Sequence, residues 1–203
     1  MIKQTQTKQL PKGWKEIPLS EVLDYEQPNS YIVHSEILEE KTPVPVLTAN
    51  KGFIRGYTNE KEGIYKNLPA IIFDDFTTNI KYVDFPFKVK SSAMKILKSK
   101  NNLINLKFVF YQMLLKEVNS TTHKRYYLSA YQKLKVIFPF DEKGNIILKE
   151  QEKIVQEIES KLSILKNIED TFKKSLNKSK LLKKSILKSA FEGKLVKTEE
   201  MQK

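Results

Sequence analysis

The chain has 203 residues, with 36 Lys+Arg against 24 Asp+Glu, a formal charge of +12, and no cysteine. That length holds one ordinary domain, or one domain and an arm, and a hydrophobic fraction of 40% excludes a wholly disordered chain. Without cysteine there is no disulfide scaffold, zinc ribbon or thiol catalysis, and two histidines, His34 and His123, leave little for a histidine-rich metal site. The positive charge points to a polyanionic partner. No run of 18 apolar residues is present, so no membrane span is expected. The opening MIKQTQTKQLPKGW has no apolar signal core, which predicts a cytoplasmic chain.

The character of the sequence changes near residue 148. All eight prolines, all nine tyrosines, Trp14 and five of the six glycines precede that point. Residues 149–203 have no proline and only Gly193. The expected organisation is therefore a globular domain over 1–148, a long helix over 149–193 and a tail over 194–203. The fold class is α+β, a mixed domain followed by a C-terminal helix.

Within the domain, Leu19–Leu23 reads as a short helix capped by Ser20. Pro43–Thr48 reads as an extended edge segment, because proline cannot donate to a ladder. Phe53–Tyr57 reads as strand and turn, and Ala70–Phe73 as a strand buried on both faces. Phe85, Phe87 and Val89 alternate as in a half-buried strand. Residues 103–118 repeat at helical spacing through Leu103, Leu106, Phe110, Met113 and Leu114. Leu134, Val136 and Phe138 return to alternation. This order does not alternate as βαβαβ, so a doubly wound parallel sheet is not expected.

The arm carries an apolar stripe through Ile154, Ile158, Leu162, Leu165, Ile168, Phe172 and Leu176, continued by Leu182 and Ile186. Steps of three and four follow the straight-helix period more closely than a strict heptad. Asn177–Lys180 interrupts the stripe without Gly or Pro, which leaves continuation or a bend open. Gly193 is a natural stop. Unbroken, the helix is about 66 Å long at 1.5 Å per residue. Such a helix with an apolar stripe is not stable alone in water and calls for a helical partner or a second copy.

No phosphate-binding glycine loop, dinucleotide fingerprint or nucleophile elbow is present. Asp74 and Asp75, at the end of an apolar strand, with Asp84 and Lys88 beyond, invite a nuclease reading; the plainer reading has these acids capping the strand and pairing with Lys81 or Arg55. The basic charge is distributed, +7 over 1–148 and +5 over 149–203, and Lys173–Lys188 contains seven lysines and no acid. A solvated helix face, phosphate contact and an acidic protein partner all fit that run. Three loops mix cations with aromatic, amide or hydroxyl groups: Lys51, Arg55 and Tyr57; Thr77, Thr78, Asn79 and Lys81; and His123, Lys124, Arg125, Tyr126 and Tyr127. Arg forks onto guanine, Asn onto adenine, and Lys, Thr and Tyr bind phosphates, so these loops are candidate contacts to double-stranded DNA.

At these residues the chain resembles a known family, the specificity subunits of type I restriction–modification systems, in a half-length form. Leu10-Pro11-Lys12-Gly13-Trp14 followed by Leu19-Ser20-Glu21-Val22 resembles the start of that family's target recognition domain. Pro45–Gly52, Gly56-Tyr57-Thr58 and Ile71–Thr78 resemble its centre. Glu150-Gln151 with Ile154-Val155, and Ser185–Leu195, resemble the two ends of its conserved helix. Pro139–Asn145 departs from the family's short proline-rich approach to that helix. Members carry two recognition domains and two conserved helices, and this chain has one of each.

The resemblance implies that two copies pair through an antiparallel coiled coil of their helices and read a bipartite inverted repeat, one half-site per chain. It further implies that the chain is not itself an enzyme. It docks methyltransferase and restriction (endonuclease/translocase) subunits, and S-adenosylmethionine, ATP and Mg belong to those partners. A protein-binding adaptor and a metal-dependent nuclease are the competing readings. If Arg125 reads a base, Arg125→Ala costs about 1–3 kcal/mol on cognate duplex and little on random duplex. Lys124→Ala instead weakens both alike and flattens the salt dependence, as titrations of the two variants against both duplexes will measure.

Overall fold

The computed structural model describes residues 10–35, 37, 40–41, 43–48, 52–116 and 126–195. Its centre is a four-stranded antiparallel sheet of β2 (Leu23–Glu26), β8 (Met94–Ser99), β5 (Ala70–Asp74) and β6 (Ile80–Val83), in that order. The run Ala70-Ile71-Ile72-Phe73 is apolar at every position because both faces of this sheet are covered. Ile71 and Phe73, with Leu97 and Ile80, enter one core; Ala70 and Ile72, with Ile96, Met94 and Val83, enter another. The register keeps each face consistent, pairing Ile71 with Leu97 and Tyr82, and Ile72 with Ile96.

The first core is closed by α1 (Leu19–Val22), α2 (Leu106–Leu114), the short α3 (Tyr126–Ser129) and a two-stranded antiparallel ribbon of β1 (Trp14–Pro18) and β9 (Lys135–Pro139). The Gly13-Trp14 motif is the turn into that ribbon: Phe140 donates its N–H to the Gly13 carbonyl at 2.8 Å, and Gly13 holds φ +82°. Gln112 of α2 reaches the other edge of β9, accepting from the Ile137 amide at 2.7 Å and donating to its carbonyl at 2.9 Å. One side-chain amide thereby substitutes for a neighbouring strand at that position.

The second core lies between the central sheet and a three-stranded sheet ordered β4 (Ile54–Thr58), β3 (Val44–Leu47), β7 (Lys88–Val89). The expected edge segment is thus a central strand. Pro45 is tolerated there because β7 pairs only with Val46 and Leu47, so no donor is required from residue 45 on that side. The alternating Phe85, Phe87 and Val89 yield only the two-residue β7 and a bridge from Phe87 to Tyr65. Ser20 is not a cap either; Pro18 occupies the cap position, and the Leu19 amide donates to the Leu134 carbonyl at 2.9 Å. The helix expected from residue 103 begins at Leu106, because the Asn105 side chain accepts from the Phe108 amide at 3.0 Å and caps it.

The chain divides into two compact units, Met1–Val155 and Gln156–Lys203. The long helix α4 (Leu148–Phe191) begins in the first unit and runs unbroken through Asn177–Lys180. Its first two turns belong to the domain core through Gln151, which has no exposed surface, and Val155. Gln151 accepts from the Asn105 amide at 2.9 Å and donates to the Leu103 carbonyl at 2.9 Å. At the far end Gly193, at φ +72°, closes a Schellman turn: its amide donates to Ala190 and that of Lys194 to Ser189. Among the described residues no helix is long and apolar enough to cross a membrane.

Replacing Gln151 with leucine leaves the Asn105 amide and Leu103 carbonyl without their partner. The expected loss is about 1–3 kcal/mol in chemical denaturation. Glu152→Leu on the exposed side of the same turn serves as the neutral control.

Candidate nucleic-acid interface

The end of β5 organises the Thr77–Lys81 loop and receives the backbone amides of Tyr126 and Tyr127. Asp74 accepts from the amides of Phe76 at 2.8 Å and Thr77 at 3.2 Å, and from the Thr77 hydroxyl at 2.6 Å. Thr78 sits at φ 60°, a conformation that β-branched residues seldom adopt. Its side chain hydrogen-bonds the Tyr131 phenol, which also donates to the Lys116 carbonyl at 3.2 Å. The turn from Asp75 to Asn79 is therefore pinned from inside. It leaves Phe76, the backbone of Thr77, the Asn79 side chain and Lys81 exposed, and Lys81 has no ion-pair partner among the described residues. Of the two threonines expected as contacts, Thr77 spends its hydroxyl on Asp74 within the turn and Thr78 bonds the Tyr131 phenol outside it.

Asp75 faces inward. Its carboxylate accepts from the Tyr127 amide at 2.9 Å and lies 3.5 Å from the Lys95 ammonium, and its carbonyl accepts from the Tyr126 amide at 3.1 Å. Lys95, 1% exposed, also donates to Gln27 at 2.8 Å. The partner of the acidic pair is Lys95, not Lys81 or Arg55. Both carboxylates are occupied by amides, a hydroxyl or a buried ammonium, so the arrangement fits strand-end anchoring. Among the described residues no group of three His, Cys, Asp or Glu is placed to hold a metal ion.

Tyr126 and Tyr127, expected as DNA contacts, are buried and are corrected to core residues. Tyr127 packs edge-on against Tyr25 and Phe73, each with ring centres 5.4 Å away. Burial, with the charge of Asp24, pushes its phenol well above the ordinary range. The aromatic pair fastens the segment after residue 125 to Asp75, beside the Phe76–Asn79 turn. His123, Lys124 and Arg125, and likewise Lys51, lie outside the described residues. Arg55 and Tyr57 sit on the same outward face of β4, the edge strand of the other sheet, with Gly56 and Thr58 turned inward. The candidate residues thus fall in two places, the Asp75-centred loops and β4.

Lys88, set beside Asp84 in the nuclease reading, is instead a second buried cation whose partner is Glu60. Its ammonium, 2% exposed, pairs with Glu60 and donates to the Glu62 carbonyl at 2.8 Å. Glu60 in turn accepts from the amides of His34 and Ser35. Lys88 first, then the Ser35 amide, hold the Glu60 carboxyl at about 2. Gly63 closes the cluster; a Cβ there would stand 2.7 Å from the Ser30 carbonyl oxygen and 3.0 Å from the Lys88 ammonium. The available signal was a lysine at an inward position of an apolar run, as in Phe87-Lys88-Val89 and Met94-Lys95-Ile96-Leu97.

Together these features define a basic mixed α/β domain with two cores and a pinned polar turn, followed by a long helix whose apolar stripe is exposed from Leu162 onward among the described residues. The family model described as type I restriction modification DNA specificity domain matches residues 11–171, and the chain belongs to that family. It is 45% identical over 145 residues to the type I restriction enzyme EcoR124I/EcoR124II specificity subunit of Escherichia coli, a stretch that covers 69% of this chain and 36% of that one. Among solved structures, one on complex assembly and conformational transition of the type I R-M system aligns with TM-score 0.71 at 15% identity, over 94% of this chain and 48% of that one. The S subunit from M. genitalium aligns at 0.54 and 19% identity, over 87% and 45%. The HsdS subunit from Thermoanaerobacter tengcongensis aligns at 0.56 and 15%, over 95% and 48%. The chain thus spans between a third and a half of the length of these relatives.

The Glu60 carboxyl is depressed from 4.5 to about 2, so its contribution to stability is complete above pH 4.5 and is lost as pH falls toward 2. Glu60→Gln is expected to melt below the wild type at pH 7, with the gap narrowing between pH 4.5 and 2.5 in thermal melts followed by circular dichroism. A gap that stays constant over that interval would mean that the carboxylate does not stabilise the fold.

Proposed function

We propose that this chain is the DNA-reading and assembly-directing component of a type I restriction–modification complex. The domain reads one half-site of double-stranded DNA through Arg55, Tyr57, Asn79, Lys81 and the His123–Arg125 segment. Two chains join through α4 as an antiparallel homodimer, so that a two-fold pair of readers selects an inverted repeat, with helix length setting the spacer. Methyltransferase and restriction subunits dock on the assembly and bring S-adenosylmethionine, ATP and Mg. This chain selects the site and catalyses nothing.

The observation that carries the reading is the family match over residues 11–171, joined to an α4 stripe that from Leu162 onward is exposed among the described residues. Phe172 is 71% exposed and Phe191 91%, a state that association relieves. The positive charge of both segments supports a polyanionic target.

Binding of a random duplex over a salt series tests the DNA role. Affinity should fall by about 10³ or more between 50 and 200 mM salt for six or more phosphate contacts. Salt-insensitive binding, or none, would favour the protein-only adaptor. Expressed with its methyltransferase subunit, the chain should direct methylation to a bipartite palindrome; an asymmetric motif would overturn the homodimer.

A further inference from the structure

Of the nine phenylalanines that precede Val155, Phe76 alone is exposed, and it joins neither core. A lone apolar side chain in water is ordinary on a protein surface. Phe76 differs in what holds its backbone. Its amide donates to the Asp74 carboxylate at 2.8 Å. The Thr78 amide donates to the Asp74 carbonyl at 2.9 Å, and the Asp74 amide to the Asn79 carbonyl at 2.9 Å. Thr78 stands at φ 60° and bonds the Tyr131 phenol. A β-branched residue stays in that conformation only where its surroundings enforce it, and such positions gather where ligands are met. The turn therefore carries a ring into solvent on a fixed backbone.

The neighbours of the ring are polar. Three residues on, Asn79 exposes its side-chain amide, while the hydrogen bonds of the turn use only the Asn79 backbone. Lys81 follows, also exposed. An apolar ring, a free amide and a cation on one rigid turn match one kind of base pair. In the major groove an A·T pair presents adenine N7 and its N6 amino group beside the 5-methyl group of thymine. An asparagine amide donates to N7 and accepts from N6, and an aromatic ring covers the methyl group. G·C pairs offer no methyl group, and the minor groove offers none for any pair.

Resting on the DNA-reading role proposed above, we infer that Phe76 is a specificity-determining residue. Its ring covers the 5-methyl group of a thymine in the half-site, with Asn79 on the adenine edge of the same or the adjacent pair and Lys81 on a phosphate. An aromatic side chain has few rotamers to lose and this turn is already fixed. Contact with a single methyl group is then not offset by the entropy of ordering.

The test uses the full chain with its methyltransferase subunit, and a duplex carrying the motif that the pair methylates. Each thymine of the motif is replaced in turn by uracil, which deletes only the methyl group. The wild type should lose about fourfold in affinity at one such position, the amount expected for one methyl group removed from apolar contact. Phe76→Ala should bind the unmodified duplex at least as weakly as that and be indifferent to uracil there. Phe76→Leu, which keeps apolar bulk, should remain sensitive. Because the ring joins neither core, both variants should melt with the wild type. Leu103→Ala, which removes a similarly exposed apolar side chain outside the turn, should bind as the wild type does.

The same uracil penalty in the wild type and Phe76→Ala, or no sensitive thymine at all, overturns the inference and leaves the DNA-reading role standing. So does brightening of 2-aminopurine in the motif on binding of the wild type but not of Phe76→Ala, which would show the ring wedged between base steps. A complex with no preference for the motif over random duplex overturns the DNA-reading role as well.

Discussion

One carboxylate holds together the side of this domain that presents the Phe76–Asn79 turn. Asp75 follows directly on the most buried strand of the central sheet and meets the ammonium of Lys95 from the adjacent strand. Through its other oxygen and its carbonyl it gathers the amides of Tyr126 and Tyr127. A buried charge of this kind is tolerated only when its oxygens are matched, and here each carboxylate oxygen has a partner, one the Tyr127 amide and the other the Lys95 ammonium. The consequence is positional. Two segments more than forty residues apart in sequence are pinned to one point, and the turn from Phe76 to Asn79 is presented next to it on a backbone that Asp74 and Thr78 make stiff. A reader of base edges depends on such stiffness, because a loop ordered only on contact would lose discrimination to the entropy of ordering.

Much of this was legible in the residues. The two-sided burial of Ala70–Phe73, the α2 stripe, the alternation of β9 and the long helical arm all followed from period and composition, since each lies in a long or strongly patterned segment; whether the arm bends at Asn177–Lys180 did not, and the helix continues unbroken there. What was not legible depends on partners distant in sequence. Pro45 looked like an edge because its neighbour β7 is only two residues long. Met94–Ser99, the strand between β2 and β5, was missed because Lys95 and Lys98 mask its apolar pattern. Tyr126 and Tyr127 read as surface aromatics beside a basic cluster, yet they are core residues whose amides serve Asp75. Their assignment needed knowledge of Asp75, fifty residues earlier. The acidic pair resembled a metal site for the same reason: its cation, Lys95, is a strand away.

Gln151 illustrates a different kind of signal. In the sequence it is part of a helix-start motif whose physical meaning is hidden. In the fold its amide joins the loop before α2 to the first turn of α4, with both donor and acceptor used. Leucine would fill the space and alanine would keep the helix, but only an amide of that length satisfies a backbone N–H and a C=O together. Gln112 does the same against β9. Twice, then, this domain secures a helix to an irregular or edge backbone with a glutamine in place of further apolar surface, which suits a small domain with two thin cores.

The bare stripe of α4 has a consequence in mass action. A helix whose apolar face is covered only by another molecule has no fixed stability; its free energy rises with the logarithm of the concentration of that molecule. The domain up to Val155 carries its own cores, whereas under the pairing proposed above the stability of the arm from Gln156 onward depends on the supply of partners. On that proposal recognition and assembly answer to different variables, one to the chemistry of the target and the other to how much of the protein is present.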